Sequence, residues 1–134
     1  MSKKNQLPDE VMMVVVVRKD SHMTPAALAL HISRASIELR DKFDPNHPEY
    51  VGRYEEDYFK KVMDKWYNTG REQEYYEVDD FTELREIAFQ CGMQAVPSSF
   101  LDKEDSESAH CLILGPFDKY ELEELTQYAQ YIKV

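Results

Sequence analysis

The sequence predicts an α/β domain: a three-layer sandwich with a four-stranded mixed sheet and helices on both faces. Three observations carry this. Residues 11–17 read Val-Met-Met-Val-Val-Val-Val. They are apolar at every position, the pattern of a strand buried on both faces rather than one. Helical segments long enough to cross over between parallel strands alternate with short apolar runs along the rest of the chain. With 134 residues, 43% hydrophobic and 31% charged, the chain has the size and composition of one folded domain.

Residues 1–10 are polar and read as a flexible N-terminal segment, leaving 11–134 as the domain. After the first strand, Thr24 is placed to cap a helix with Pro25 at its first position, where a missing N–H costs nothing. Leu28, Ile32, Ala35 and Leu39 recur at helical spacing, so a helix is expected over 25–42. Asp44-Pro45-Asn46-His47-Pro48 breaks it. A second helix fits 54–67, with Phe59, Val62, Met63 and Trp66 on one face and a stop at Asn68-Thr69-Gly70. Residues 72–78 read as a strand. Asp80 and Glu83 have capping-box spacing and open a third helix, with Leu84, Ile87, Ala88 and Cys91 inward and Gly92 at its end. A weaker strand signal covers 95–101, and 102–108 is a polar loop. Residues 111–114 form a buried strand closed by Gly115-Pro116. Asp118 and Glu121 repeat the capping-box spacing before a last helix through Ala129. The alternating tail, 131–134, either adds a short strand or packs down.

The formal net charge is -10 and is unevenly spread. Residues 1–42 hold seven Lys/Arg against five Asp/Glu, and residues 43–134 hold nine against twenty-one. Nucleic-acid affinity comes from neutralising phosphates, so most of this surface is expected to repel nucleic acid and only the N-terminal third to attract it. No apolar run approaches the roughly 18 residues of a membrane span. Cys91 and Cys111 lie in apolar settings without metal-ligand spacing, so they read as free buried thiols of a reducing, cytoplasmic-type compartment. His47 and His110 offer no ligand cluster, so neither a metal nor another cofactor is expected. Tyr50, Tyr54, Tyr58, Phe59, Trp66 and Tyr67 read as core, but the tyrosines exceed what a core needs and also fit a protein interface.

Val14-Val15-Val16-Val17-Arg18-Lys19-Asp20 followed by Met23 resembles the opening of the type II peptidyl-tRNA hydrolase family, a strand ending in V-V-R-x-D-L, two residues, then Met and a helix. Trp66 and Gly70 with the strand after them are similar to that family's W-x-x-x-G-x-x-K-V-V-L segment. Leu112-Ile113-Leu114-Gly115-Pro116 resembles its closing A-I-G-P strand, and 125–134 its last helix and L-K-L-L tail. The likeness runs from about residue 11 to the end. It implies a four-stranded mixed sheet flanked by helices, and a site for the ester of peptidyl-tRNA.

The chain departs from the family where the chemistry sits. The family's first helix begins G-K-x-A-A-Q-x-x-H-A. Here Ala26 and Ala27 stand for the Gly-Lys pair, His31 for the glutamine and Arg34 for the histidine. The family's D-A-G-R-T-Q loop corresponds to 102–107, where Asp102 and Ser106 match the aspartate and threonine while Glu104 and Asp105 replace glycine and arginine. Ester hydrolysis needs an activated water, an oxyanion stabiliser and cations for phosphate. The resemblance leaves His31, Asp102 and Asp20 as candidate catalytic groups, His31 and Asp102 as a general-base pair. It leaves His22, Arg34, Arg18 and Lys19 as candidate binding groups. Ala27, His31 and Arg34 share a helix face. The plainer reading makes His31 a polar helix residue and Arg34 a solvated cation.

The leading expectation is a catalytically degenerate relative, a pseudoenzyme acting as a binding or regulatory module on a protein partner. One alternative is a divergent active hydrolase working through replacement residues. The other takes the acidic runs 55–57, 79–80 and 102–107 as an electrostatic decoy, an acidic inhibitor docking on a basic nucleic-acid-handling protein. The plainer reading of those runs is a solubilising surface.

Overall fold

The computed structural model describes residues 7–21, 23–41, 58–100 and 110–133. In chain order the elements are strand β1 (Val11–Arg18), helices α1 (Pro25–Asp41) and α2 (Tyr58–Asn68), and strand β2 (Gln73–Val78). They continue with helix α3 (Phe81–Met93), strands β3 (Ser98–Ser99) and β4 (Cys111–Asp118), helix α4 (Lys119–Leu125) and strand β5 (Gln130–Ile132).

β1 is an interior strand. The sheet order is β3-β4-β1-β2-β5, with β1 parallel to β2 and antiparallel to β4. Val11–Val16 are all buried. Successive strand side chains point to opposite faces, so both faces of the sheet are covered here, as the unbroken apolar run requires. β3 is antiparallel to β4 and therefore parallel to β1 and β2. The crossovers β1-α1-α2-β2 and β2-α3-β3 travel in opposite directions along the sheet, so right-handed connections put α1 and α2 on one face and α3 on the other. Arg40 of α1 donates to the Tyr67 hydroxyl of α2 at 3.3 Å, and α3 packs against α4.

The sheet has five strands, not the expected four. The tail adds the fifth, because Tyr131 pairs opposite Tyr76 on the free edge of β2, with the two rings edge-on at 5.5 Å. Cross-strand aromatic pairs of this kind hold short edge strands in register. For the same reason α4 ends at Leu125 rather than Ala129: the Thr126 hydroxyl turns back onto the Leu122 carbonyl at 2.9 Å, and the chain swings out to the edge. The strand expected over 95–101 shrinks to Ser98–Ser99.

β4 also runs past its expected end at Leu114. Gly115 lies where the β1–β4 register shifts between Met12 and Val14, and its φ of +88° suits glycine. A Cβ there would lie 2.8 Å from both the Met12 carbonyl oxygen and the Phe117 nitrogen. The glycine lets the strand bulge and resume, so that Phe117 and Asp118 still pair with Met12 and Val11.

The helix signals read as expected. The Thr24 hydroxyl accepts from the Ala27 N–H at 3.1 Å. Asp80 caps α3 through the Glu83 N–H at 3.0 Å, while the Glu83 carboxylate accepts from the Asp79 N–H at 2.7 Å. Asp118 caps α4 through the Tyr120 N–H. Tyr58, Phe59 and Trp66 are buried, and Tyr67 is exposed. Tyr50, Tyr54 and the loops at 44–48 and 102–108 lie outside the described residues.

Candidate functional site

Val17 pairs with Cys111 and Arg18 with Val78. The C-terminal ends of β1 and β2 therefore share one end of the sheet with the start of β4. α1 and α3 begin at the same end. In open α/β sheets this is where ligands bind.

Two cations and two acids meet there. The Arg18 guanidinium grips Asp20 in a fork, Nε to Oδ1 at 2.8 Å and Nη2 to Oδ2 at 3.0 Å. Fork geometry of this kind is the strong form of the ion pair. The Arg18 side chain is 9% exposed and that of Asp20 45%. The same guanidinium lies 5.6 Å over the ring of Phe81 at the start of α3. Lys19 approaches Asp79 at 3.6 Å, both side chains being exposed. Arg18, at the end of β1, and Lys19, just beyond it, thus each have a carboxylate partner within their own fold.

Beside them is a cluster the sequence did not single out. The Ser21 hydroxyl and His110 Nδ1 are 2.9 Å apart. The His110 ring stands edge-on to His31 at 5.3 Å. His31 is half-buried nearly two turns into α1, and its Nδ1 is buried without a hydrogen-bond partner among the described residues. Ala27 sits one turn before it and Arg34, exposed, one turn after. Asp102 and His22 lie outside the described residues. The structure therefore joins Arg18 to Asp20, Lys19 to Asp79, and His31 to His110 and Ser21. Sequence reasoning had set His110 aside for want of a ligand cluster. The signal was a histidine one residue before a strand, and it acquires a neighbour only once β4 is known to run antiparallel to β1.

A hydroxyl hydrogen-bonded to an imidazole can be activated as a nucleophile or can order a water. Among the described residues no three His, Cys, Asp or Glu side chains are grouped to hold a metal. Cys91 and Cys111 are free and buried. Burial pushes each thiol up to about 12, the Cys91 shift being opposed by a hydrogen bond from Ser98. Neither is a thiolate at neutral pH. Among the described residues no helix is long and apolar enough to cross a membrane.

No curated protein matches the chain significantly. The family model for peptidyl-tRNA hydrolase PTH2 matches residues 11–131, from the first residue of β1 into β5. The sheet that orders the site is thus matched from end to end, and the chain belongs to the peptidyl-tRNA hydrolase PTH2 family.

Proposed function

We propose that this family member is catalytically degenerate and works as a binding or regulatory module on a protein partner, in a reducing compartment of the cytoplasmic type. The observation that carries the reading is the pairing of Arg18 with Asp20 and of Lys19 with Asp79. A cation already matched by a carboxylate must give up that partner before it can hold a phosphate, so tRNA gains little from either. The first turn of α1 adds no cation, since Ala27 stands where the family resemblance puts a lysine. Arg34, at the family's histidine position, stays charged at neutral pH and cannot act as a base. Losing one preorganised stabiliser costs roughly 100- to 1,000-fold in rate. Losing several leaves little above background, although such effects do not simply add.

A second reading, a divergent active hydrolase, is favoured by one contact, Ser21 with His110. There His110 would take the Ser21 proton, or that of a water, as the ester carbonyl is attacked, and His31 would fix the His110 ring. Release of peptide from peptidyl-tRNA, assayed at low salt where phosphate binding is strongest, separates the two. The degenerate reading expects a rate near the uncatalysed one. Robust turnover that disappears in His31→Ala and in His110→Ala would establish the hydrolase instead.

A further inference from the structure

On the face of the sheet away from α1 and α2, α3 and α4 leave a groove between them. Its cavity is about 350 Å³, enough for one or two large side chains at the lower end of ordinary ligand pockets. Its floor is apolar, with Val78, Ile87 and Leu125 among its lining. Its walls include Glu86 and Glu124. Among the described residues no cation pairs with either glutamate. Tyr128, at the rim, is 96% exposed. On the outer shoulder of α3, Phe89 and Met93 are spaced one turn apart and are 60% and 68% exposed.

We propose that this groove docks a basic amphipathic segment of a partner protein, one that sets a large apolar side chain on the floor and places Lys or Arg against Glu86 and Glu124. The choice of a protein occupant rests on the reading of the chain as a binding module. The chemistry rests on the groove itself. Unpaired carboxylates above an apolar floor repel phosphate and reward a ligand that is apolar at its centre and cationic at its edges. An apolar ligand alone leaves the two carboxylates without a cation. A small polyamine satisfies the glutamates and leaves Val78, Ile87 and Leu125 wet. Only a segment carrying both features uses the whole lining, and Tyr128 at the rim extends the apolar contact beyond the cavity mouth.

The probe is a synthetic helical peptide with a central Leu pair flanked by Lys at i and i+4 spacing. It is titrated calorimetrically into the full chain beside a sequence-scrambled peptide of the same composition and beside spermidine. Glu86→Lys with Glu124→Lys should weaken the peptide by at least about 10-fold, as expected when facing charges are reversed. A matched reversal on the other face, Asp41→Lys with Asp64→Lys, changes the net charge equally and should cost no more than about 2-fold, because the sheet separates those exposed charges from the groove and salt screens them. Tyr128→Ala, at a fully solvated position, should cost about 3- to 10-fold as a rim aromatic contact. Equal weakening by the two reversals would overturn the proposal, as would spermidine or the scrambled peptide binding as tightly, or no peptide binding at all. Peptidyl-tRNA release by the same variants is read in parallel. Turnover insensitive to the groove reversals would sink the degenerate reading while leaving the groove standing.

Discussion

The end of the sheet at Arg18–Ser21 and the groove between α3 and α4 both carry dense charge, and they manage it in opposite ways. At the sheet end Arg18, the last residue of β1, and Lys19, just beyond it, each face a carboxylate of their own fold before any ligand arrives. In the groove, Glu86 and Glu124 have no such cation among the described residues. A site whose charges are satisfied internally has little left to offer a ligand, whereas unpaired charge over an apolar floor is energy held for a partner.

The largest effect should come from the element that links the two regions. β4 runs from Cys111, which follows His110 at the site, to Asp118, the cap of α4. Gly115→Ala puts a Cβ at 2.8 Å from two backbone atoms and forces alanine to a positive φ. The conformation alone costs about 1–3 kcal/mol, and the backbone clash adds to it. Urea denaturation should show a loss of at least about 3 kcal/mol, with peptide binding at the groove and Ser21–His110 geometry lost together. A variant of near-native stability would mean that the two regions are not tied through this strand.

Alkaline pH should act next. Cys111 opens β4 beside Val17, and Cys91 lies on the inner face of α3, so one thiol reports on each region. Burial raises both from 9.0 to about 12, which means the folded state holds these protons more tightly than the unfolded chain does. Stability from this source is complete below about pH 9 and drains away as the pH rises toward 12. Thermal melts should fall steadily across that window. In the native protein at pH 8, iodoacetamide should leave both thiols unmodified, and alkylation of one alone would show that its region opens separately.

These residues also mark how far the sequence could be read. The apolar run at 11–17 fixed an interior strand because nothing but a doubly covered position accommodates seven consecutive Val and Met side chains. Asp80 with Glu83, and Thr24 with Pro25, located helix starts because capping is local chemistry. The fifth strand was harder to read. Gln130–Ile132 carries only a three-residue alternation, and its value depends on the free edge of β2 that faces it. Gly115-Pro116 looked like a strand end because a bulge and a stop share the same residues. His31, Asp20, Arg18 and Lys19 are candidates from motif order, and the structure places them at one end of the sheet. Ser21 and His110 are not candidates on that order, since residues 89 positions apart meet only through antiparallel pairing. The groove was invisible for a related reason: its acids come from two helices whose packing no local pattern announces.

Asp20→Asn tests the paired side of the comparison. It takes the Asp20 carboxylate away from the Arg18 guanidinium, which is 9% exposed. The expected cost is about 1–2 kcal/mol, below that of a fully buried pair because Asp20 is half-exposed. Glu124→Gln in the groove should be neutral, since among the described residues no partner is lost. Equal costs in urea denaturation would erase the distinction between the two regions.

The smallest effect is the most discriminating. Asp79→Asn removes the acid facing Lys19 but leaves the Asp79 N–H bonded to Glu83, so the start of α3 is kept. Both partners are well exposed, and stability should change by no more than about 0.5 kcal/mol. What should change is the availability of Lys19. One cation freed for one phosphate makes the dependence of log affinity on log salt steeper by about 0.7–0.9, with tRNA affinity rising less than about 10-fold at low salt. Filter binding of tRNA across a salt series reads this directly. An unchanged slope would mean that Asp79 was not what kept Lys19 from phosphate. The closure of this end would then have to rest on Arg18 and Asp20 alone. A slope that steepens as expected, without any gain in peptidyl-tRNA hydrolysis, would separate two losses that are otherwise confounded. Phosphate binding would be recoverable by one exposed substitution, while the chemistry lost with Ala27 in place of the family's lysine would not.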